Sequence, residues 1–205
     1  LSLHDDLELI SQSIAVDRNI QSYIDQYYGM RILKQDPWEC LISFICSAAS
    51  NLNKITKNVQ SIIKLGVKIG PDKLDCSFPT PETIVSFGEG KLRELGVGFR
   101  SSYVIDAAQK VLEGKIDFES LKSSSFSEAK NTLMIINGVG EKIADCVLAF
   151  SLGCPQAFPV DRWVRRGLIS NYGCSPKLNN NQLGYWARKK FNNDGSYVQI
   201  GRAHV

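Results

Sequence analysis

The sequence predicts an all-α protein, on two observations. Apolar residues recur at three-and-four spacing almost throughout, and no segment of useful length alternates with period two. In chain order, the periodicity predicts helices over about 5–15 and 17–28. Asp36-Pro37-Trp38-Glu39 then places a capping Asp, a Pro at the first helical position and a Glu three residues after the cap, ahead of the apolar run 40–45. A helix over 52–65 follows. Thr80-Pro81-Glu82 repeats the start signal, and Gly88 to Gly90 break that helix from the next. Further helices are expected over 100–113, 126–135, 141–152, 161–171 and 179–191. Both ends look cut: the chain begins at Leu1, and after Phe191 it stops in a stretch where Ile200 to Val205 continue no apolar period. These six residues resemble translated adapter or vector sequence and are expected to be a non-native tail.

With 205 residues, 43% hydrophobic and 22% charged, the composition is that of a globular chain and excludes disordered, collagen-like and disulfide-scaffold classes. No run of about 18 apolar residues and no signal-peptide pattern occurs, so an intracellular protein with no membrane partner is expected. The six cysteines (Cys40, Cys46, Cys76, Cys146, Cys154, Cys174) include no CxxC pair and read as thiols of a reducing compartment. The two histidines, His4 and His204, lie at the chain ends, which leaves a zinc site without its usual imidazoles; no metal is expected. The net charge of +3 is uneven. Residues 1–50 carry 3 basic and 7 acidic side chains, residues 51–161 carry 13 of each, and residues 162–205 carry 8 and 1. A basic carboxy-terminal third suggests a polyanionic partner, although uneven surface lysines alone would produce the same count.

The most informative stretch is LMIINGVGEKIADCVLAF, residues 133–150. An apolar helix end runs into Asn137-Gly138-Val139-Gly140, and a second helix opens at Glu141. Two glycines around one β-branched residue permit a tight turn and leave amide N–H groups uncovered at a helix N-terminus, a geometry for holding a phosphate. A helix connector would look the same in isolation. In the second helix Lys142, Asp145, Cys146 and Ala149 fall at i, i+3, i+4 and i+7, so a lysine beside the turn shares its face with a small thiol.

These residues resemble the helix-hairpin-helix DNA glycosylases with a Gly/Pro-rich loop and distal aspartate, and most closely the 8-oxoguanine DNA glycosylases. MRILKQDPWECLISFICSAASNLNKIT (30–56), LRELGVGFRSSYV (92–104) and CPQAFPVDRWVRR (154–166) agree in the family order, and the resemblance spans about 30–199. It implies a two-lobed helical core over 1–199, with a central lobe at about 36–125 and a hairpin-containing lobe at about 1–35 and 126–199. It also implies a bifunctional DNA glycosylase and abasic-site lyase that removes 8-oxoguanine without metal or cofactor, acting as a monomer on double-stranded DNA. The compartment would be the cytoplasm or nucleoid of a prokaryote, or the nucleus of a eukaryote.

Carried over by motif, Lys142 matches the nucleophile and Asp161 the essential aspartate. Cys146 and Gln199 match the base pocket. Asn51, Lys54, Phe99 and Arg100 match the residues that probe the opposite base and fill the gap. Asn137, Gly138, Val139, Gly140, Arg162 and Arg165 match DNA-phosphate contacts. The chain departs from the family at Ala49 and Ser50, which replace wedge amides, and at Trp163, where eukaryotic members have a histidine. The family's amino-terminal sheet domain is expected to be missing. An endonuclease III type enzyme for oxidised pyrimidines and a non-catalytic helix-hairpin-helix DNA-binding module are the alternatives. Cys146 and the CPQAFPVD string favour the purine enzyme, and Lys142 with Asp161 in register argues against the module.

Overall fold

A computed structural model describes residues 5–72, 75–191 and 194–202, with side chains through residue 198. The described residues form twelve helices and no strand beyond a single antiparallel bridge between Lys68 and Cys76. They are α1 (Leu7–Ile14), α2 (Arg18–Gln26), α3 (Pro37–Cys46), α4 (Leu52–Ile63), α5 (Pro81–Glu94), α6 (Arg100–Leu112), α7 (Phe118–Ser123), α8 (Phe126–Leu133), α9 (Glu141–Phe150), α10 (Arg162–Tyr172), α11 (Asn180–Lys190) and α12 (Gly195–Arg202). The all-α expectation holds. Among these described residues no helix is long and apolar enough to cross a membrane. The six cysteines form no disulfide.

The start signals act as the sequence predicts. Asp36 accepts from Glu39 N at 3.0 Å and Thr80 from Thr83 N at 3.3 Å, each ahead of a proline in the first helical turn, so an otherwise orphaned amide is satisfied. Gly88 interrupts α5 with φ 72° and ψ 171°, a kink that a side chain would resist. Two helices escape the periodicity. The six residues of α7 are too few to show a period, and a cap from Asp117 to Glu119 N starts them. α12 continues through Arg202, into the expected non-native tail; residues 203–205 of that tail lie outside the described ones. At its start, a Cβ on Gly195 would lie 2.7 Å from Phe158 Cδ2, so only glycine permits this approach.

The chain divides into two compact units, 36–143 and 1–35 with 144–205, and the division falls inside α9. In the first unit α5 packs along α6, and α3 packs on both α4 and α6. Leu41, Ile42, Ile45, Ile62, Ile84, Leu92 and Val104 are fully buried there. At about 25 cal/mol per Å² of apolar surface, each such side chain contributes roughly 1.5–3 kcal/mol. In the second unit α12 packs on α1 and α2, and α10 on α11. Its core joins Ile14, Ile20, Phe158, Leu168, Leu183 and Phe191, with Phe158 stacked on Phe191 at 6.0 Å between ring centres.

Cys46 is fully buried in the first unit. Burial pushes its thiol up from an ordinary 9.0 to about 11, against the partial pull of the Arg100 guanidinium. Because an unfolded chain loses this proton near 9 and the folded chain keeps it to about 11, stability falls as pH rises through that window. The shift in urea midpoint between pH 8 and pH 10.5 should therefore be larger for wild type than for Cys46→Ala. Equal shifts would show that the thiol does not contribute.

Candidate active site

The hairpin turn follows α8. Ile136 and Val139 are buried, whereas Asn137, Gly138 and Gly140 are exposed. Gly138 has φ 80°, the left-handed region, and a Cβ there would collide with the Tyr103 ring. Nothing approaches the corresponding position of Gly140. The four turn residues expected to face a phosphate are not equivalent. Asn137 N–H donates to Asp106 Oδ2 at 2.7 Å, and Val139 N–H to the Ile136 carbonyl at 3.0 Å. Among the described residues the N–H groups of Gly138 and Gly140 have no acceptor, and both lie at the positive end of α9.

Lys142 is the second residue of α9 and half-buried, with its Nζ 4.8 Å from the centre of the Phe44 ring. The preceding Glu141 pairs with Lys130 of α8, which is itself buried, so an ion pair ties the hairpin's two helices just before the lysine. Cys146 lies one turn beyond Lys142 and is 3% exposed. Every residue from 143 to 149 is buried, so the face that carries Lys142, Asp145, Cys146 and Ala149 reaches solvent only at the lysine.

Asp161 caps α10. Its Oδ1 accepts from Trp163 N at 2.9 Å and Val164 N at 2.8 Å, and its own backbone is extended, with φ −93° and ψ −176°. Both cap bonds end on one oxygen, and among the described residues Oδ2 accepts none. Next to it Trp163 is 61% exposed with the Arg162 guanidinium 4.9 Å from its ring centre. The three arginines of this helix differ. Arg165 spends its guanidinium on the Leu178 and Pro176 carbonyls and the Asn180 side chain, at 2.7 to 3.1 Å, and so holds the α10–α11 loop. Arg162 and Arg166 remain exposed.

The residues expected to read the opposite base are placed in different ways. Phe99 is 49% exposed and stands edge-on to Tyr103 at 6.0 Å. Asn51 caps α4, accepting from Lys54 N at 3.0 Å, and both residues are exposed. Arg100 is 1% exposed: its Nε donates to the Ala48 carbonyl at 2.7 Å and its Nη2 to the Ala49 carbonyl at 2.9 Å. It thereby fixes a loop in which Ala49 has φ 46°, the one non-glycine residue with positive φ among those described. Gln199 belongs to α12, and its side chain lies outside the described residues. Tyr103 and Asp106, which shape the hairpin, were not legible as site residues. Their spacing along α6 marks one helix face, but nothing local indicates that this face meets a turn some thirty residues later.

The family model for HhH-GPD superfamily base excision DNA repair proteins matches residues 42–189, and that for the 8-oxoguanine DNA glycosylase N-terminal domain matches residues 1–41. The match to the amino-terminal domain model is confined to residues 1–41, whose described part contains helices and no strand. The crystal structure of Clostridium acetobutylicum 8-oxoguanine glycosylase/lyase in its apo-form superposes with a TM-score of 0.90 at 32% identity, covering 97% of this chain and 70% of that one. The same enzyme in complex with dsDNA containing cytosine opposite to 8-oxoG gives 0.89 at 32% identity, over 97% and 69%. The N-glycosylase/DNA lyase of Saccharomyces cerevisiae is 38% identical over 167 residues, 74% of this chain and 44% of that protein. This chain spans 41 to 65% of the length of the first curated relatives it matches. The family match over most of the chain, with the likeness to a solved 8-oxoguanine glycosylase/lyase, means that the chain belongs to the 8-oxoguanine DNA glycosylase family within the HhH-GPD superfamily of base excision DNA repair proteins.

Proposed function

We propose that this chain excises 8-oxoguanine from double-stranded DNA and cleaves the resulting abasic site, with Lys142 as nucleophile and Asp161 as its electrostatic partner. The observation that carries the reading is Lys142 itself, a half-buried amine in the first turn of α9, directly behind two exposed glycines whose amides have no acceptor among the described residues. Those amides hold a backbone phosphate, and the target nucleotide leaves the stack to bring its sugar to the lysine. The neutral amine attacks C1′ and gives up a proton as the N–C1′ bond forms; the glycosidic bond breaks and the base departs protonated. The nitrogen lone pair then breaks the C1′–O4′ bond, O4′ takes up a proton and a protonated Schiff base forms; loss of a C2′ proton expels the 3′ phosphate by β-elimination. Asp161, with one carboxylate oxygen in the cap and the other outside it, stabilises the cationic sugar.

Cys146 and Gln199 form the base pocket in this reading, the carboxamide offering a donor and an acceptor to the guanine edge. Phe99, Asn51 and Lys54 contact the gap and the opposite base. Arg100 joins them only by releasing the Ala48 and Ala49 carbonyls. Arg162 takes a phosphate, and Arg165 acts on DNA indirectly through its loop. Single-turnover assays on duplexes carrying 8-oxoguanine opposite cytosine, an oxidised pyrimidine, or no lesion test the reading. Cleavage of the first alone is expected. Preferential cleavage of the second would identify an endonuclease III type enzyme, and binding with no cleavage of any would identify a DNA-binding module.

A further inference from the structure

Phe99, the N-cap residue of α6, and Tyr103, Asp106 and Lys110 within it follow at four-, three- and four-residue steps, one stripe of a helix. Each member has a partner along the way to the hairpin. Phe99 stands against Tyr103, the Tyr103 ring occupies the space a Gly138 side chain would need, Asp106 Oδ2 accepts the Asn137 N–H at 2.7 Å, and Lys110 pairs with Asp106 Oδ1. Lys110 and Asp106 are each 19% exposed, so their pairing is partly screened from solvent.

We propose that Tyr103 and Asp106 are positioning residues that preset the hairpin turn for a DNA phosphate, and that Lys110 keeps the Asp106 charge from opposing it. This deepens the reading above and rests on it for the identity of the phosphate. The physical requirement is specific. A carboxylate is the strongest acceptor available to fix the Asn137 amide, but a carboxylate beside an anion site repels the anion it helps to hold. Pairing with Lys110 removes that conflict. With Asn137 anchored and Gly138 closed down on an aromatic ring, the remaining amides of Gly138 and Gly140 are held outward before DNA arrives, so little ordering cost falls on binding. Phe99, at one end of the stripe, and the hairpin, at Tyr103 and Asp106, are thereby tied to the same helix face.

Binding of an undamaged duplex, measured over a salt series, isolates this role because it needs no excision. Lys110→Gln, a change at a partly exposed position, should weaken binding about 3- to 10-fold at low salt, and the double variant Asp106→Asn with Lys110→Gln should restore it. Tyr103→Ala should weaken binding similarly and flatten the logarithmic salt dependence by about 0.9, the value of one phosphate, while Tyr103→Phe behaves as wild type. Unchanged affinity in Lys110→Gln, or no recovery in the double variant, overturns the proposal. So does a Tyr103→Ala protein with wild-type affinity and slope. Loss of 8-oxoguanine excision by wild type would count against the functional reading and leave these binding results to stand on their own.

Discussion

Lys142→Gln should yield no borohydride-trapped adduct with an 8-oxoguanine duplex, where wild type gives one, and its single-turnover excision rate should fall by about 10³-fold or more. That loss corresponds to about 4 kcal/mol of transition-state stabilisation, the scale expected when a covalent route is removed rather than weakened. Glutamine is one atom shorter but polar and uncharged, and Lys142 makes no ion pair among the described residues, only a contact over the Phe44 ring. Folding should therefore change little, by at most the roughly 0.5–1 kcal/mol of an exposed cation–π contact. The other lysine near the turn, Lys130, is committed to Glu141 and lies over the Phe126 ring. An undiminished adduct in Lys142→Gln, with thermal stability intact, would move the nucleophile elsewhere.

Asp161→Asn should lower the excision rate by about 10²- to 10³-fold while duplex affinity changes little or rises slightly. The magnitude is that of removing one preorganised electrostatic group from a charged transition state, about 2.7–4 kcal/mol. The substitution is informative because asparagine caps helices about as well as aspartate, so the bonds to the Trp163 and Val164 amides survive. Asp161→Ala removes the cap as well and should cost a further 0.5–2 kcal/mol of stability, roughly. Measured side by side, the two variants separate charge from cap. If Asp161→Asn keeps wild-type turnover and only Asp161→Ala is impaired, the residue is a helix cap and the sugar cation is stabilised by another group.

The sequence by itself determined most of the helical framework, because what starts a helix is local. Asp36 with Pro37, Thr80 with Pro81, and Asp161 each satisfy amides two or three residues away, and such bonds depend on no distant part of the chain. The same locality made the Gly138 and Gly140 turn, and Lys142 behind it, legible as a candidate site. Where locality failed, only the tertiary structure decided. The six residues of α7 are too short to display a period, and α12 packs on α1 and α2 with Gly195 so near Phe158 that a Cβ there would lie 2.7 Å from its ring.

Side-chain allegiance was the larger matter left to the tertiary structure. Motif position offers Arg100 and Arg165 to DNA. The folded chain brings the Ala48 and Ala49 carbonyls, fifty residues away, within reach of the first, and the Pro176 and Leu178 carbonyls within reach of the second. A guanidinium with five donors takes whichever acceptors the fold leaves unsatisfied, and sequence does not record which those are. Asp106 is the converse case, an inconspicuous helix residue that becomes part of the hairpin because a turn 31 residues later exposes one amide to it. Caps and glycine turns follow from near neighbours and can be read along the chain; the partners of long polar side chains follow from which backbone groups folding strands without water, and only three dimensions fix them.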